Sequence, residues 1–215
     1  MAGVAGRDQI KVVGDEIRLN SGKIINHGTL YTMISYETPR LTSKLGVSIL
    51  GTTIRRRDNY NYVGNEYSRI AYGRGFSLKA GVLGKISRTS SVYINAAINS
   101  RIPYSDVFFS SWNNNIPNGV KNERNLLTEA GFRTAGNKFA LELTAYAALW
   151  KNKSVMSNPY VMQETGLNRF LVRGLDALHT GLEADISYAF TSKLRAKSYL
   201  SIADWRWKND VSATI

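Results

Sequence analysis

The run Phe76–Asn99, FSLKAGVLGKISRTSSVYINAAIN, decides the fold. Phe76, Leu78, Ala80 and Val82 alternate with Ser77, Lys79 and Gly81; after the turn SRTS, Val92, Ile94, Ala96 and Ile98 alternate with Tyr93, Asn95, Ala97 and Asn99. Successive side chains of a strand point to opposite faces, so this period of two gathers the aliphatic residues on one side and the polar ones on the other. Two such runs joined by a short polar turn make an antiparallel hairpin.

The same pattern extends in both directions. Upstream, TLYTMISYE (Thr29–Glu37) is rich in strand formers and joins through TPRLTSK to a segment in which Leu45, Val47 and Ile49 share a face. Downstream, Thr128, Ala130 and Phe132 alternate with Glu129, Gly131 and Arg133, and across AGNK come Phe139, Leu141, Leu143 and Ala145 against Glu142 and Thr144. A fourth repeat sets Leu182, Ala184, Ile186 and Tyr188 against Gly181, Glu183, Asp185 and Ser187, then continues past FTSK from Leu194 toward Trp205. Short turns near residues 38–44, 87–90, 135–138 and 191–193 take turns with long polar stretches near 56–69, 100–124 and 151–173. Short turns on one side and long loops on the other are the organisation of outer-membrane barrels. The expected fold class is therefore all-β: antiparallel up-and-down strands of a transmembrane β-barrel, about eight or nine of them and so a partial barrel. Residues 28–215 form that wall, and residues 1–27 are left as an uncertain loop or strand entry.

Charge supports the assignment. Glu129, Glu142, Glu183, Asp185, Lys79 and Arg133 fall opposite the aliphatic face. Burying them unpaired in a small closed core would be very costly, whereas the wide interior of a large barrel hydrates or pairs them. A soluble sandwich would instead seal the aliphatic face and wet the charged one, and periodicity alone does not separate the two. No window approaches the ~18–20 consecutive apolar residues of a membrane-spanning helix. The formal charge of +12 raises a nucleic-acid reading, but the basic residues are scattered through loops and turns among acidic ones, with Arg55-Arg56-Arg57 the one compact cluster, so no nucleic-acid partner is expected. A basic outer surface also suits anionic lipopolysaccharide. Without cysteine there are neither disulfides nor thiolate metal sites.

Trp150 and Trp205 each lie about eleven residues past a short turn, at the depth of an interfacial aromatic girdle. Counting from Phe139 and Ile202, both point instead to the polar face. The loop DNYNYVGNEYSR places Tyr60, Tyr62 and Tyr67 amid Asn and Gly, and PYSDVFFSSWNNNIPNG offers Tyr104, Phe108, Phe109, Trp112 and Asn113. Stacking aromatics beside amides suit sugars or aromatic chelates, so Tyr60, Tyr62, Tyr104, Phe108, Trp112 and Asn113 are the candidate ligand-binding residues, with interface anchoring and loop packing as the plainer account. The two histidines, His27 and His179, stand far apart and no metal site is expected. Asp176 and Glu183 read as charges of the polar face. No nucleophile elbow, phosphate loop or zinc motif is present, so neither catalysis nor a cofactor is expected.

Three blocks then resemble a known family. KNERNLLTEAGFRTAGNKFALELTAYAALWKNKSV (residues 121–155) is similar to the late barrel of TonB-dependent outer-membrane receptors. YINAAINSRIPYSDVFF (93–109) is similar to the strand of those receptors that runs through an Asn-rich, Pro-containing segment into an extracellular loop. RGLDALHTGLEADISYAFTSKLRAKSYLSIADWRWKND (173–210) is similar to their Gly-x-Glu strand and the Trp-ending strand after it. The likeness spans roughly residues 28 to 210 and is greatest to receptors of Bacteroidetes-type bacteria. It implies a middle-to-late barrel fragment without plug or TonB-interacting box, in the outer membrane of a Gram-negative cell. The whole receptor would import a scarce ligand of the siderophore, haem, cobalamin or glycan class, with outer-membrane lipid, its own plug domain and the TonB complex as partners. A plug-free porin and a soluble β-rich binding module are the alternatives.

Overall fold

The computed structural model describes residues 20–109, 114–156, 161–163, 166–168, 171–211 and 213–214. Eight long strands follow one another: β1 (Ser21–Glu37), β2 (Leu41–Asp58), β3 (Ala71–Lys85), β4 (Ser90–Arg101), β5 (Glu123–Ala135), β6 (Phe139–Met156), β9 (Leu171–Ala189) and β10 (Arg195–Trp207). A single helical turn, α1 (Ser105–Phe108), lies between β4 and β5; a hairpin of β7 (Val161–Gln163) and β8 (Gly166–Asn168) lies between β6 and β9, and β11 (Ala213–Thr214) pairs with the start of β9. The sheet runs β1-β2-β3-β4-β5-β6-β9-β10, every pair antiparallel. This is the expected up-and-down order, with strand number within the expected range.

Strand length separates the two competing architectures. The eight strands run from 12 residues in β4 to 19 in β9, beyond the ~3–10 usual in soluble sheets and enough for the ~9–11 that a tilted strand needs to cross a bilayer. The long connections are correspondingly shorter than the sequence indicated, because β2, β6 and β9 stay paired past the alternating region and absorb residues 56–58, 151–156 and 171–173. For the same reason β1 starts at Ser21, ahead of the boundary placed at residue 28: Gly22, Lys23 and Ile24 pair with Arg57, Arg56 and Arg55.

Register puts the side chains where the period of two requires. Ile49 faces Phe76, Leu78 faces Ile98, Ile94 faces Ala130 and Leu143 faces Ala184, so one face is aliphatic from β2 through β9. Among the described residues nothing covers that face. Ile94 is 59% exposed, Leu182 61% and Ile49 57%. A soluble monomer rarely shows so large an apolar surface, and hydrocarbon is the solvent that suits it.

The buried apolar cluster instead forms on the polar face, at the end that carries the long connections. There Ile54 of β2 and Ala71 of β3 pack with Ile102, Phe108 and Phe109, with Leu50, Ile116 and Val120 at the margin. The α1 connection therefore folds inward across β2 and β3. Gly73 permits this approach, since a Cβ there would lie 2.8 Å from the Ile102 side chain.

Candidate functional site

Three groups of side chains occupy the polar face. The one nearest the short turns is a hydrogen-bonded ladder across β4, β5 and β6. Arg133 grips Glu142 with two bonds, Nε to Oε2 at 3.0 Å and a terminal nitrogen to Oε1 at 2.6 Å. The Tyr93 hydroxyl donates to Glu142 Oε1 at 3.1 Å and shares a 2.7 Å bond with Thr144, which must then be the donor, since a phenol has one proton. Asn95 donates to Glu129 at 2.6 Å. Tyr93 stands directly opposite Gly131, and its ring lies over the glycine. The Arg133 and Glu142 charges thus offset each other, and a cavity of about 340 Å³ opens between Lys44, Asn95, Glu129, Arg133 and Glu142.

Farther along the strands the face becomes aromatic. His179 of β9 and Trp205 of β10 are cross-strand partners with ring centroids 5.1 Å apart at 20°, and Trp150 of β6 stands 6.5 Å from His179 on the other side. Trp205 Nε1 donates to the Tyr146 hydroxyl at 3.2 Å, while the Lys153 ammonium sits 4.6 Å from the Trp150 ring centre. Lys153 reaches this face because the β6–β9 ladder shifts register between Trp150 and Lys153, where Asn152 adopts a φ of 55°. Asn is among the residues that tolerate that left-handed conformation best. A cavity of about 310 Å³ lies among Trp150, Lys153, His179, Trp205 and Trp207.

The third group is the inward-folded connection. Lys23 of β1 pairs with Asp106 of α1, and Arg101 with the buried Glu123. Behind them Arg56 and Asp58, both buried, form a 2.8 Å ion pair. Arg56 also donates to Asn114 at 3.1 Å, and Asp58 accepts the backbone N–H groups of Tyr60 and Asn61 and the Asn61 amide. Asp58 closes a strand of 18 residues and so stands beyond the crossing segment. Burial by itself would raise its pKa; the Asn61 and Tyr60 hydrogen bonds and Arg56 outweigh that and hold the carboxyl below its usual value. Beneath this plug of side chains a cavity of about 330 Å³ is lined by Ser48, Leu50, Asn99, Glu123, Asn125 and Trp150, so Trp150 joins it to the aromatic shelf.

The structure gives the residues singled out from sequence different surroundings. Tyr62 is half-buried and its hydroxyl accepts the Asn114 N–H at 3.3 Å; Tyr60 is half-buried beside Asp58. Tyr104 is 40% exposed and donates to the Ser154 carbonyl. Phe108 is buried in the apolar cluster, so its ring packs the loop and is not offered to solvent. Trp112 and Asn113 lie outside the described residues. The sequence carries a signal for the shelf itself: His179 and Trp205 lie equally far on either side of Ser192 in the FTSK turn, and hairpin pairing brings such residues opposite each other.

Among solved structures, a copper transporter, OprC, superposes with a TM-score of 0.68 over 84% of this chain at 14% sequence identity. The fold is that of an outer-membrane barrel wall. The aliphatic face is thus the lipid face and the polar face the lumen face, and this chain spans 29% of the length of that transporter. No protein-family model and no curated protein matches the sequence.

Proposed function

We propose that this chain is wall and loop of an outer-membrane receptor of the TonB-dependent, Bacteroidetes-like type, carrying a scarce organic ligand through its lumen without catalysing a reaction. The observation that carries the proposal is the contrast between faces. An uncovered aliphatic surface looks outward, while paired charges, an aromatic shelf and an inward loop line the interior. Stacked rings beside amides suit a glycan or an aromatic siderophore, haem and cobalamin being the other classes of the family. In this proposal Tyr60, Tyr62 and Tyr104, with Trp112 and Asn113, meet the ligand first at the outer loops, and Trp150, His179 and Trp205 receive it next. The resemblance of residues 93–109, 121–155 and 173–210 supports a plug domain and the TonB complex as partners of the whole protein. The copper of the structural neighbour is not carried over.

The inward-folded connection favours a second reading, a plug-free porin narrowed by its own loop. Uptake into intact cells separates the two. A receptor loses uptake of a labelled ligand when a protonophore collapses the inner-membrane gradient that powers TonB, whereas a porin continues to equilibrate it. Uptake unaffected by the protonophore would refute the TonB-driven proposal.

A further inference from the structure

Among the described residues, the lipid face carries charge at one end only. From β1 through β6, the described residues whose register places them on that face include five cations, Arg55, Arg57, Arg74, Arg124 and Lys151, and no acid. All five are exposed and stand at the ends of strands that lead to the long connections: Arg74, Arg124 and Lys151 two residues past Phe76, Leu126 and Leu149, and Arg55 and Arg57 farther out on β2, beyond Ile49. The neighbours on the opposite face at the same level are treated differently: Arg56 and Glu123 are buried and ion-paired. None of the five outward cations is ion-paired among the described residues. Arg124 and Lys151 are direct cross-strand partners, a like-charge pairing that costs stability unless an anion lies between them. Arg55 and Arg57 hold their guanidinium groups 4.3 and 5.5 Å from the Tyr67 ring centre. The loop carboxylate Glu66 is held near Arg57 but is taken up by the Gly64 N–H at 2.9 Å.

We propose that this basic row is a binding site for the phosphate groups of the anionic glycolipid in the outer leaflet. Depth selects the partner. A free phosphate would have no reason to seek the rim of an apolar belt, whereas the phosphates of a glycolipid whose acyl chains lie on Ile49, Phe76, Leu126 and Leu149 are carried to that height. Arginine supplies the planar fork that grips phosphate with two bonds, and the tyrosines Tyr67 and Tyr72 stand at the same interface with an apolar body and a polar tip. The site rests on the outer-membrane reading and specifies what sits against the wall on one arc of it.

The test uses the whole protein, extracted in mild detergent and stripped of lipid, with retention of bisphosphorylated lipid A and of its dephosphorylated form measured by native mass spectrometry. The wild-type protein retains the phosphorylated form at least tenfold better. Arg124→Gln with Lys151→Gln, and separately Arg55→Gln with Arg57→Gln, each lower that retention roughly 25-fold, taking about a factor of five for each of the two removed cations near an anionic surface. Lys85→Gln, on the lumen side of β3, leaves it unchanged. Equal retention of the two lipids by the wild type, or equal retention by wild type and both double variants, overturns the site. Membrane fractionation is scored separately: sedimentation away from the outer membrane refutes the functional proposal, while the detergent measurement still decides the phosphate site.

Discussion

Gly131→Ala tests whether the lumen ladder is held by a ring lying on a glycine. A Cβ at residue 131 would stand 2.3 Å from Tyr93 Cζ and 2.5 Å from its hydroxyl oxygen, where ordinary contact begins at 3.4 Å. The ring must therefore retreat by about 3.4 − 2.3 = 1.1 Å. A shift of that size lengthens its 2.7 Å bond to Thr144 and its 3.1 Å bond to Glu142 to at most about 3.8 and 4.2 Å, the upper values being past the limit of a hydrogen bond. Overpacking costs ~1–3 kcal/mol, and the weakened bonds add ~0.5–1.5 kcal/mol each. Against this, alanine gains ~0.5–1 kcal/mol over glycine in a strand. The expected net loss is about 1–5.5 kcal/mol, read as a lower thermal midpoint in detergent by the loss of heat-modifiable migration on a gel. The same substitution made in a Tyr93→Ala background should be neutral or slightly stabilising, because the obstacle has gone. An equal loss in both backgrounds would refute the reasoning.

Ile94→Lys, on the lipid face and 59% exposed, should cost ~2–4 kcal/mol of stability in bilayer or detergent, while Ala97→Glu beside Lys79 on the lumen face should change the midpoint by less than ~1 kcal/mol. Gly73→Val should force Ile102 away and lift the inward connection, seen as faster protease cleavage between residues 102 and 122 with the barrel's heat-resistant migration retained. Acid should loosen the outer loop: the Asp58 carboxyl is depressed in the folded protein, so the unfolded form binds the extra proton, and the stabilisation present at neutral pH is lost as pH falls below about 5 toward the folded value, whereas Asp58→Asn should abolish that pH dependence in amide exchange of residues 59–68. Trp205→Ala removes the ring stacked on His179 and should weaken binding of the proposed ligand severalfold, measured by quenching of the remaining tryptophans.

The hairpins were legible because the same residues that fix the period also fix the face. Once Phe76 through Val82 and Val92 through Ile98 alternate about SRTS, only every second pairing keeps both aliphatic sets together, and the short turn selects from these the register Leu78↔Ile98. Direction was equally legible for Trp150 and Trp205, whose parity gave the polar face although their depth favoured a girdle. The inward connection was not. Ile102, Phe108 and Phe109 carry no period, and whether an aromatic loop offers its rings or buries them depends on a distant gap, here the space above Gly73. Strand ends were blurred because paired backbone continues into sequence that has lost its alternation, as at Arg55-Arg56-Arg57.

The offset at Asn152 changes which medium the tip of β6 addresses. Until that point odd residues such as Leu149 meet the bilayer and even ones such as Trp150 the interior; afterwards Lys153, an odd residue, stands over the Trp150 ring. One residue of slack has moved an ammonium from the lipid side into the passage, where it stands as a fixed positive charge beside the stacked rings. An anionic ligand entering there would be favoured over a cation of equal size, and Lys153→Gln, which keeps the offset but removes the charge, would take the discrimination with it.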